Sequence, residues 1–185
     1  MDIVHSLART KWNLDPSHSH IGFKVRHLMV TNVRGAFTKY DGNIYTTDDD
    51  FTDADIDLSI DPASITTGDA TRDTHLKSRD FLDIENFREI HFRGVALERI
   101  NVYDYVLHGD LSIKGVTKRI QLDLEFNGIA KDSWGGERAG FEITGKINRK
   151  DFGLTWNAAL ETGGVMLGDE ITITCEIQLV QQPKS

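Results

Sequence analysis

The chain has 185 residues, of which 39% are hydrophobic and 27% are charged, and this is the size and composition of one folded domain. Its formal net charge of -8 argues against general binding to nucleic acid or to anionic membranes, because both attract clustered lysine and arginine. No apolar stretch approaches the ~20 residues of a membrane-spanning helix, and the N-terminus lacks the basic start and apolar run of a secretory signal. We therefore expect a cytoplasmic protein with no integral membrane segment and no nucleic acid partner.

The N-terminal part of the chain is predicted to lead directly into a long, interrupted strand. Residues 1–10 are expected to form a lead-in, and the single domain is expected to span residues 11–182. The first strand is predicted over residues 12–30, with an interruption near Pro16. Residues 31–35 are predicted to form the turn that ends this strand.

Two further strands are predicted before the pattern changes. The second covers residues 37–47 and is expected to break at Asp41–Gly42, a common turn or bulge signal. In the third, residues 54–61, every second residue is apolar. Successive side chains of a strand point to opposite faces, so this strand has one dry face and one wet face.

The only substantial helix is predicted over residues 72–79, where the sequence turns polar and Thr71 offers an N-cap. The strands after the helix alternate again, most strictly from Ile171 to Leu179. Cys175, the single cysteine, falls on the apolar face of this last strand, where a free thiol behaves as a small hydrophobe. Five strands are predicted after the helix, near residues 89–100, 103–113, 118–129, 140–148 and 169–181.

Eight strands separated by turn signals predict an all-β fold. We expect an eight-stranded antiparallel barrel around an apolar interior, with one short inserted helix. Periodicity alone leaves two interpretations of that interior, since eight strands enclose room either for packed side chains or for one small ligand.

Several stretches of sequence, taken in order, resemble the YceI-like family. The N-terminal stretch is WNLDPSHSHIGFKVRH, residues 12–27, and the resemblance spans about residues 11–179. The ordered set is specific, although no single stretch is. The shorter stretches are Gly35–Phe37 (GAF), Ser64–Gly68 (SITTG), Arg72–Phe81 (RDTHLKSRDF), Gly109–Thr117 (GDLSIKGVT) and Ile147–Leu154 (INRKDFGL).

The resemblance implies a lipocalin-like barrel with a long apolar cavity that binds a polyisoprenoid or another long-chain amphiphile. It also implies a homodimer. Many relatives are exported to the periplasm, but this chain shows no signal, so its expected location is not taken from them. The predicted function is to bind, and to sequester or carry, an isoprenoid or fatty-acid-like lipid inside the barrel.

The residues expected to line the ligand cavity are apolar and lie on predicted inward faces of strands or just after the helix. They are Phe23, Val25, Phe37, Ile56, Leu58, Phe81, Phe92, Leu111, Leu122, Leu124, Phe126, Phe141, Ile143 and Ile173.

The segment around the helix is expected at the rim of the barrel. There Arg72, Lys77 and Arg79 are candidates for binding a polar or phosphorylated head group through charge-assisted hydrogen bonds. The alternative is that these cations only form surface ion pairs, which stabilise a protein little. The acidic neighbours for such pairs are Asp69, Asp73, Asp80 and Asp83.

Seven histidines leave a metal-binding protein as the alternative function. His18 and His20 would share one face of a continuous strand, but zinc needs three or four converging ligands and no tight ligand spacing appears. An enzyme is the third possibility, and the chain has no Gly-x-Ser-x-Gly elbow, phosphate loop or His-Glu-x-x-His motif. We therefore expect a binding protein with no catalytic residues, no bound metal and no cofactor.

Overall fold

Eleven β-strands form one antiparallel sheet in residues 8–47 and 50–183, the part of the chain that the computed structural model describes. Residues 1–7 of the predicted lead-in lie outside this part. The strands are β1 Thr10–Leu14, β2 His20–His27, β3 Thr31–Phe37, β4 Tyr40–Thr46, β5 Asp55–Ile60, β6 Ile65–Thr66, β7 Ile90–Arg99, β8 Asp104–Ile113, β9 Val116–Lys131, β10 Glu137–Asn148 and β11 Leu167–Gln181.

The sheet closes into a barrel because β1 pairs with β4 on one side and with β11 on the other. Six of the eleven strands are halves of interrupted barrel strands: β1 continues into β2, β3 into β4, and β5 into β6. β11 pairs with both β1 and β2, while β3 pairs with β2 and β6. Counted in this way the barrel has eight strands, which confirms the predicted fold class.

The interruption between β1 and β2 is held by Asp15, which caps a 3-10 turn at Pro16–His18. Its carboxylate accepts hydrogen bonds from the backbone and hydroxyl of Ser17, and it also pairs with Arg138 of β10 at 3.0 Å. Partial burial acts to raise the pKa of Asp15, but the hydrogen bonds from Ser17 and His18 lower that pKa to about 2. The sequence DPSH therefore forms a structural link between the broken strand and β10.

The turn between β2 and β3 lies at residues 28–30, so the predicted turn at residues 31–35 is wrong and those residues belong to β3. Leu28 and Met29 have φ values of 51° and 62°, a left-handed conformation that two-residue hairpin turns need and that usually selects Asn and Gly. No turn residue marks this position in the sequence.

The predicted break at Asp41–Gly42 is also wrong, because both residues lie within β4 and the chain turns just before it. A β-carbon at Gly42 would lie 3.3 Å from Cδ1 of Leu58 on the neighbouring strand. This glycine therefore serves close packing against β5 rather than a turn.

One α-helix, α1, covers Ala70–Lys77 and follows β6. It begins two residues before the predicted start, because Asp69 is the N-cap and accepts a hydrogen bond from the backbone N–H of Arg72 at 2.9 Å. Thr71, the predicted cap, lies in the first turn. Within the described ranges no helix is long and apolar enough to cross a membrane.

One end of the barrel is closed by four aromatic rings. Phe51 reaches inward from the segment between β4 and β5, and its ring centre lies 5.2 Å from that of Trp12 and 5.1 Å from that of Phe141. Phe126 stacks on Phe141 at 5.1 Å. The indole N–H of Trp12 donates to the buried hydroxyl of Thr46 at 3.1 Å. We call this end the closed end.

The closed end makes a prediction about two tryptophans. Trp12→Phe removes the hydrogen bond to Thr46, leaves a buried hydroxyl unpaired and opens a small void, because Trp12 is 0% exposed. The free energy of unfolding, measured by urea titration, should fall by about 2 kcal/mol. Trp134→Phe is the matched control and should change little, since Trp134 is 89% exposed. Equal losses for the two variants would contradict this account of the closed end.

Candidate ligand cavity

The inward-facing residues of the barrel do not fill its interior. They enclose a cavity of about 560 Å³, which runs from the aromatic rings of the closed end to the region of α1. The alternation read from the sequence explains the wall: in β8, for example, Tyr105, Leu107, Leu111 and Ile113 are all buried on the inner face. Periodicity left open whether the interior is filled by packed side chains or has room for a ligand, and the structure shows a cavity.

Thirteen of the fourteen predicted apolar residues line this cavity. The exception is Phe126, which packs between Phe51 and Phe141 at the closed end instead of facing the open space. The structure thus brings the thirteen side chains together, and their role in binding a ligand stays a prediction. The thirteen are Phe23, Val25, Phe37, Ile56, Leu58, Phe81, Phe92, Leu111, Leu122, Leu124, Phe141, Ile143 and Ile173.

The three predicted head-group residues are separated by the structure. Arg72 lines the cavity, whereas Lys77 and Arg79 do not. Arg72 donates from Nε to the hydroxyl of Thr67 at 2.7 Å and from Nη2 to the Thr67 carbonyl at 2.9 Å. These contacts hold the guanidinium over the start of the helix.

The alternative interpretation, surface ion pairs, also fails for these cations. In the described part of the chain no ion pair joins Arg72, Lys77 or Arg79 to an acidic neighbour. The carboxylates have other partners, which are the helix N-cap for Asp69, Thr67 for Asp73, His75 for Asp80 and Asn86 for Asp83.

The cavity reaches solvent beside the first turn of α1. Among the described residues that line it, the exposed ones are Asp69, Thr71 and Arg72. Opposite them, β3 is paired with β6 only at Ala36 and Phe37, so its residues 31–35 present an edge without a strand partner. We call the opening between this edge and α1 the mouth, and the end of the barrel that carries it the mouth end.

A cluster at the mouth escaped the sequence analysis. His75 of α1 shares a hydrogen bond with Asp80, with 2.8 Å between Nε2 and Oδ2, and contacts two aromatic rings edge-on. Its ring centre lies 4.7 Å from that of Trp156 and 5.1 Å from that of Phe81. His75 lies in the stretch Arg72–Phe81, but nothing in the sequence places Trp156 beside it, because the two residues are 81 positions apart.

Arg149 also lines the cavity, yet its charge is not free for a ligand. The side chain is 2% exposed and donates to the backbone carbonyls of Leu154, Trp156 and Gly168. Burial lowers the pKa of Arg149, and Asp169 at 3.7 Å opposes that effect. Arg149 therefore anchors the loop that carries Trp156 to the mouth.

Four histidines of the described residues, His18, His75, His91 and His108, are each paired with a carboxylate rather than gathered around one site. His18 bonds Asp15, and His91 bonds Asp57 at 3.1 Å. In residues 8–47 and 50–183, no three His, Cys, Asp or Glu side chains are placed to hold a metal ion.

A family model, the YceI-like domain, matches residues 12–179. A UPF0312 protein of Staphylococcus aureus (strain N315) is 40% identical over 163 residues, covering 88% of this chain and 92% of that protein. The crystal structure of a Campylobacter jejuni YCEI protein is 33% identical, with a TM-score of 0.73 over 92% of this chain and 97% of that one.

A more distant structure shares the fold. It is a polyisoprenoid binding domain from Saccharophagus degradans, implicated in plant cell wall breakdown, with 16% identity and a TM-score of 0.69 over 96% of this chain and 100% of that one. In the described residues, the closed eight-stranded barrel with its single α-helix has a lipocalin-like fold. Together with the family match, it shows that the chain belongs to the YceI-like family.

The cavity wall makes a prediction about its one thiol. Burial raises the pKa of Cys175 to about 11, from an ordinary value of 9.0. At about pH 8 the thiolate fraction should therefore fall about a hundredfold, and the thiolate is the form that reacts. Alkylation by iodoacetamide, followed by mass spectrometry, should be slower by at least that factor in the native protein than in urea. Equal rates in the two states would contradict the buried position.

Proposed function

We propose that this protein binds a long-chain apolar amphiphile, most suitably an isoprenoid lipid, with the tail inside the barrel and the head at the mouth. One observation carries the proposal: an apolar cavity of about 560 Å³ is closed at one end by aromatic rings and open at the other beside α1. This volume falls within the roughly 300–1,000 Å³ range of small-molecule sites. A single opening suits a ligand with one apolar end and one polar end.

The apolar wall of the cavity accounts for affinity towards a lipid tail without specific polar contacts. Transfer of each methylene group of a tail from water into the cavity contributes about 0.8 kcal/mol, so the length of the tail sets most of the binding free energy. Such a wall discriminates weakly between tails of similar length. The proposal therefore names a class of ligand, which includes isoprenoid and fatty-acid-like chains.

The polar groups of the mouth support the placement of the head. Nε and Nη2 of Arg72 donate hydrogen bonds to Thr67, so Nη1 stays available for an anionic or phosphorylated group. His75, held by Asp80 and by two aromatic rings, lines the cavity next to it. The name of the Saccharophagus degradans domain, which says that it binds polyisoprenoid, supports the choice of tail.

The protein acts in this proposal as a carrier or store and not as an enzyme. Its location in the cytoplasm and its assembly as a homodimer stay predictions. Fractionation of the source cells tests the location, and sedimentation of the purified protein tests the dimer. Recovery outside the cytoplasm or a strict monomer would contradict the corresponding prediction.

A substitution that fills the cavity tests the proposal. Ile173 lies in the middle of β11 and lines the cavity, so Ile173→Trp should occupy the space of the tail. Binding of the fluorescent fatty acid cis-parinaric acid, and its displacement by geranylgeraniol, should weaken at least about tenfold, the equivalent of roughly two buried methylene groups.

The neighbouring Thr174→Trp is the matched control. Thr174 points outward from the same strand and is exposed, so this variant adds the same side chain without entering the cavity. It should bind both probes as the unchanged protein does. Equal binding by all three proteins, each shown to be folded by circular dichroism, would place the ligand elsewhere and refute the proposal.

A further inference from the structure

The mouth end of the barrel carries exposed apolar side chains on two adjacent loops. Met29 and Val30, in the turn between β2 and β3, are 60% and 72% exposed, and Leu28 and Val165 are exposed as well. The two loops are joined, since the backbone N–H of Leu28 donates to the carbonyl of Met166 at 2.8 Å. We call Leu28, Met29, Val30 and Val165 the apolar tip.

The composition of this turn is unusual for a surface hairpin. Leu28 and Met29 both hold the left-handed conformation, where Asn and Gly are favoured and where the Cβ atom of most other residues is crowded by a carbonyl oxygen. The turn therefore combines an unfavourable backbone with unfavourable exposure to water. A contact that buries the apolar tip removes the unfavourable exposure to water.

The apolar tip borders the path to the cavity. Val30 directly precedes the unpaired edge of β3 that forms one side of the mouth, and Met166 follows Val165 and lines the cavity. Whatever covers the tip therefore also lies at the opening through which a lipid tail has to pass.

Three cations stand on the outer face of the same two strands. Lys24 and Arg34 are direct cross-strand neighbours, and Arg26 lies one position nearer the tip on that face. None of them forms an ion pair with any residue in the described part of the chain. We call Lys24, Arg26 and Arg34 the basic stripe.

The carboxylates near the basic stripe are mostly occupied. Asp169 pairs with Lys150, and Glu170 pairs with Lys146, each at 3.3 Å. Glu161, in the loop before Val165, is exposed. The stripe is therefore a local excess of positive charge on a chain whose formal net charge is -8.

The closed end provides a comparison. It too has exposed apolar residues on a hairpin, with Val102 and Tyr103 exposed at 60% and 65%. Its neighbours are acidic, because Asp104 and Glu142 both lie opposite Glu125 across the sheet. Apolar exposure thus occurs at both ends, but at the mouth end it lies beside three cations that stand together on one outer face without an ion pair to any described residue.

We propose that the apolar tip and the basic stripe dock the mouth onto the surface of an anionic lipid bilayer. The tip inserts between lipid head groups, the stripe binds their negative charge, and the acidic closed end points away. Docking in this orientation turns the mouth to the bilayer, so that a tail crosses from membrane to cavity without passing through water. This last step rests on the proposed function, whereas docking itself does not.

Vesicle flotation tests the proposal without any cavity ligand. The full chain should bind vesicles of phosphatidylcholine mixed with phosphatidylglycerol, bind vesicles of phosphatidylcholine alone much more weakly, and be released by high salt. Arg26→Gln/Arg34→Gln should lower binding to the mixed vesicles at least about tenfold. Arg93→Gln/Lys131→Gln, which removes the same charge from exposed sites away from the stripe, should leave binding within about twofold.

A second pair of variants tests the tip. Met29→Asn/Val30→Ser removes apolar area, and Asn suits the left-handed conformation at position 29, so the hairpin should keep its fold. Its binding to the mixed vesicles should fall at least about tenfold. Val102→Ser/Tyr103→Ser removes comparable apolar area from the closed end and should bind as the unchanged chain does.

Three results would overturn the proposal. They are absence of binding to anionic vesicles, equal losses in the mouth and closed-end variants, and conversion of a dimer to a monomer by Met29→Asn/Val30→Ser without loss of vesicle binding. In the last case the tip would be a contact between two copies of the chain. Each result leaves the cis-parinaric acid measurement unchanged, so failure of docking and failure of ligand binding are separate outcomes.

Discussion

The short strand β1 closes the sheet, and the existence of an interior depends on this closure. It pairs with β4 through Trp12 and Ile44 and with β11 through Leu14 and Leu179. Once the ring is closed, the two-residue period of every strand sends one set of side chains inward and the other outward. The same closure gives the interior a mostly apolar wall, and the aromatic rings shut it at the closed end.

Much of the fold was predictable because closure imposes alternation, and alternation is visible in the sequence. The failures occurred where packing, rather than composition, determines the turns. Leu28 and Met29 adopt a turn conformation that no local signal announces, and Gly42, which looks like a turn residue, is placed by its close approach to Leu58. The helix start was missed by two residues because Asp69 and Thr71 are both acceptable caps, and geometry selects Asp69.

The residues of the cavity wall could be predicted from the sequence, but the volume of the cavity and the position of its mouth could not. Inward positions can be read from periodicity, but whether the side chains meet in the middle depends on the diameter of the barrel. Phe126 has the inward pattern and still packs into the closed end. At the mouth, the assembly of His75, Trp156 and the buried Arg149 joins distant segments of chain, which a single sequence does not reveal.

The central claim is that the barrel holds the tail of a long-chain lipid, and lipid analysis of the protein from its native source tests it most directly. Protein purified without detergent is extracted with organic solvent, and the extract is quantified by mass spectrometry against the amount of chain. The account predicts an isoprenoid or another long-chain amphiphile at close to one molecule per chain, absent from the Ile173→Trp variant expressed and purified in the same way. An extract without such a lipid, from a protein that also fails to take up geranylgeraniol, would contradict it.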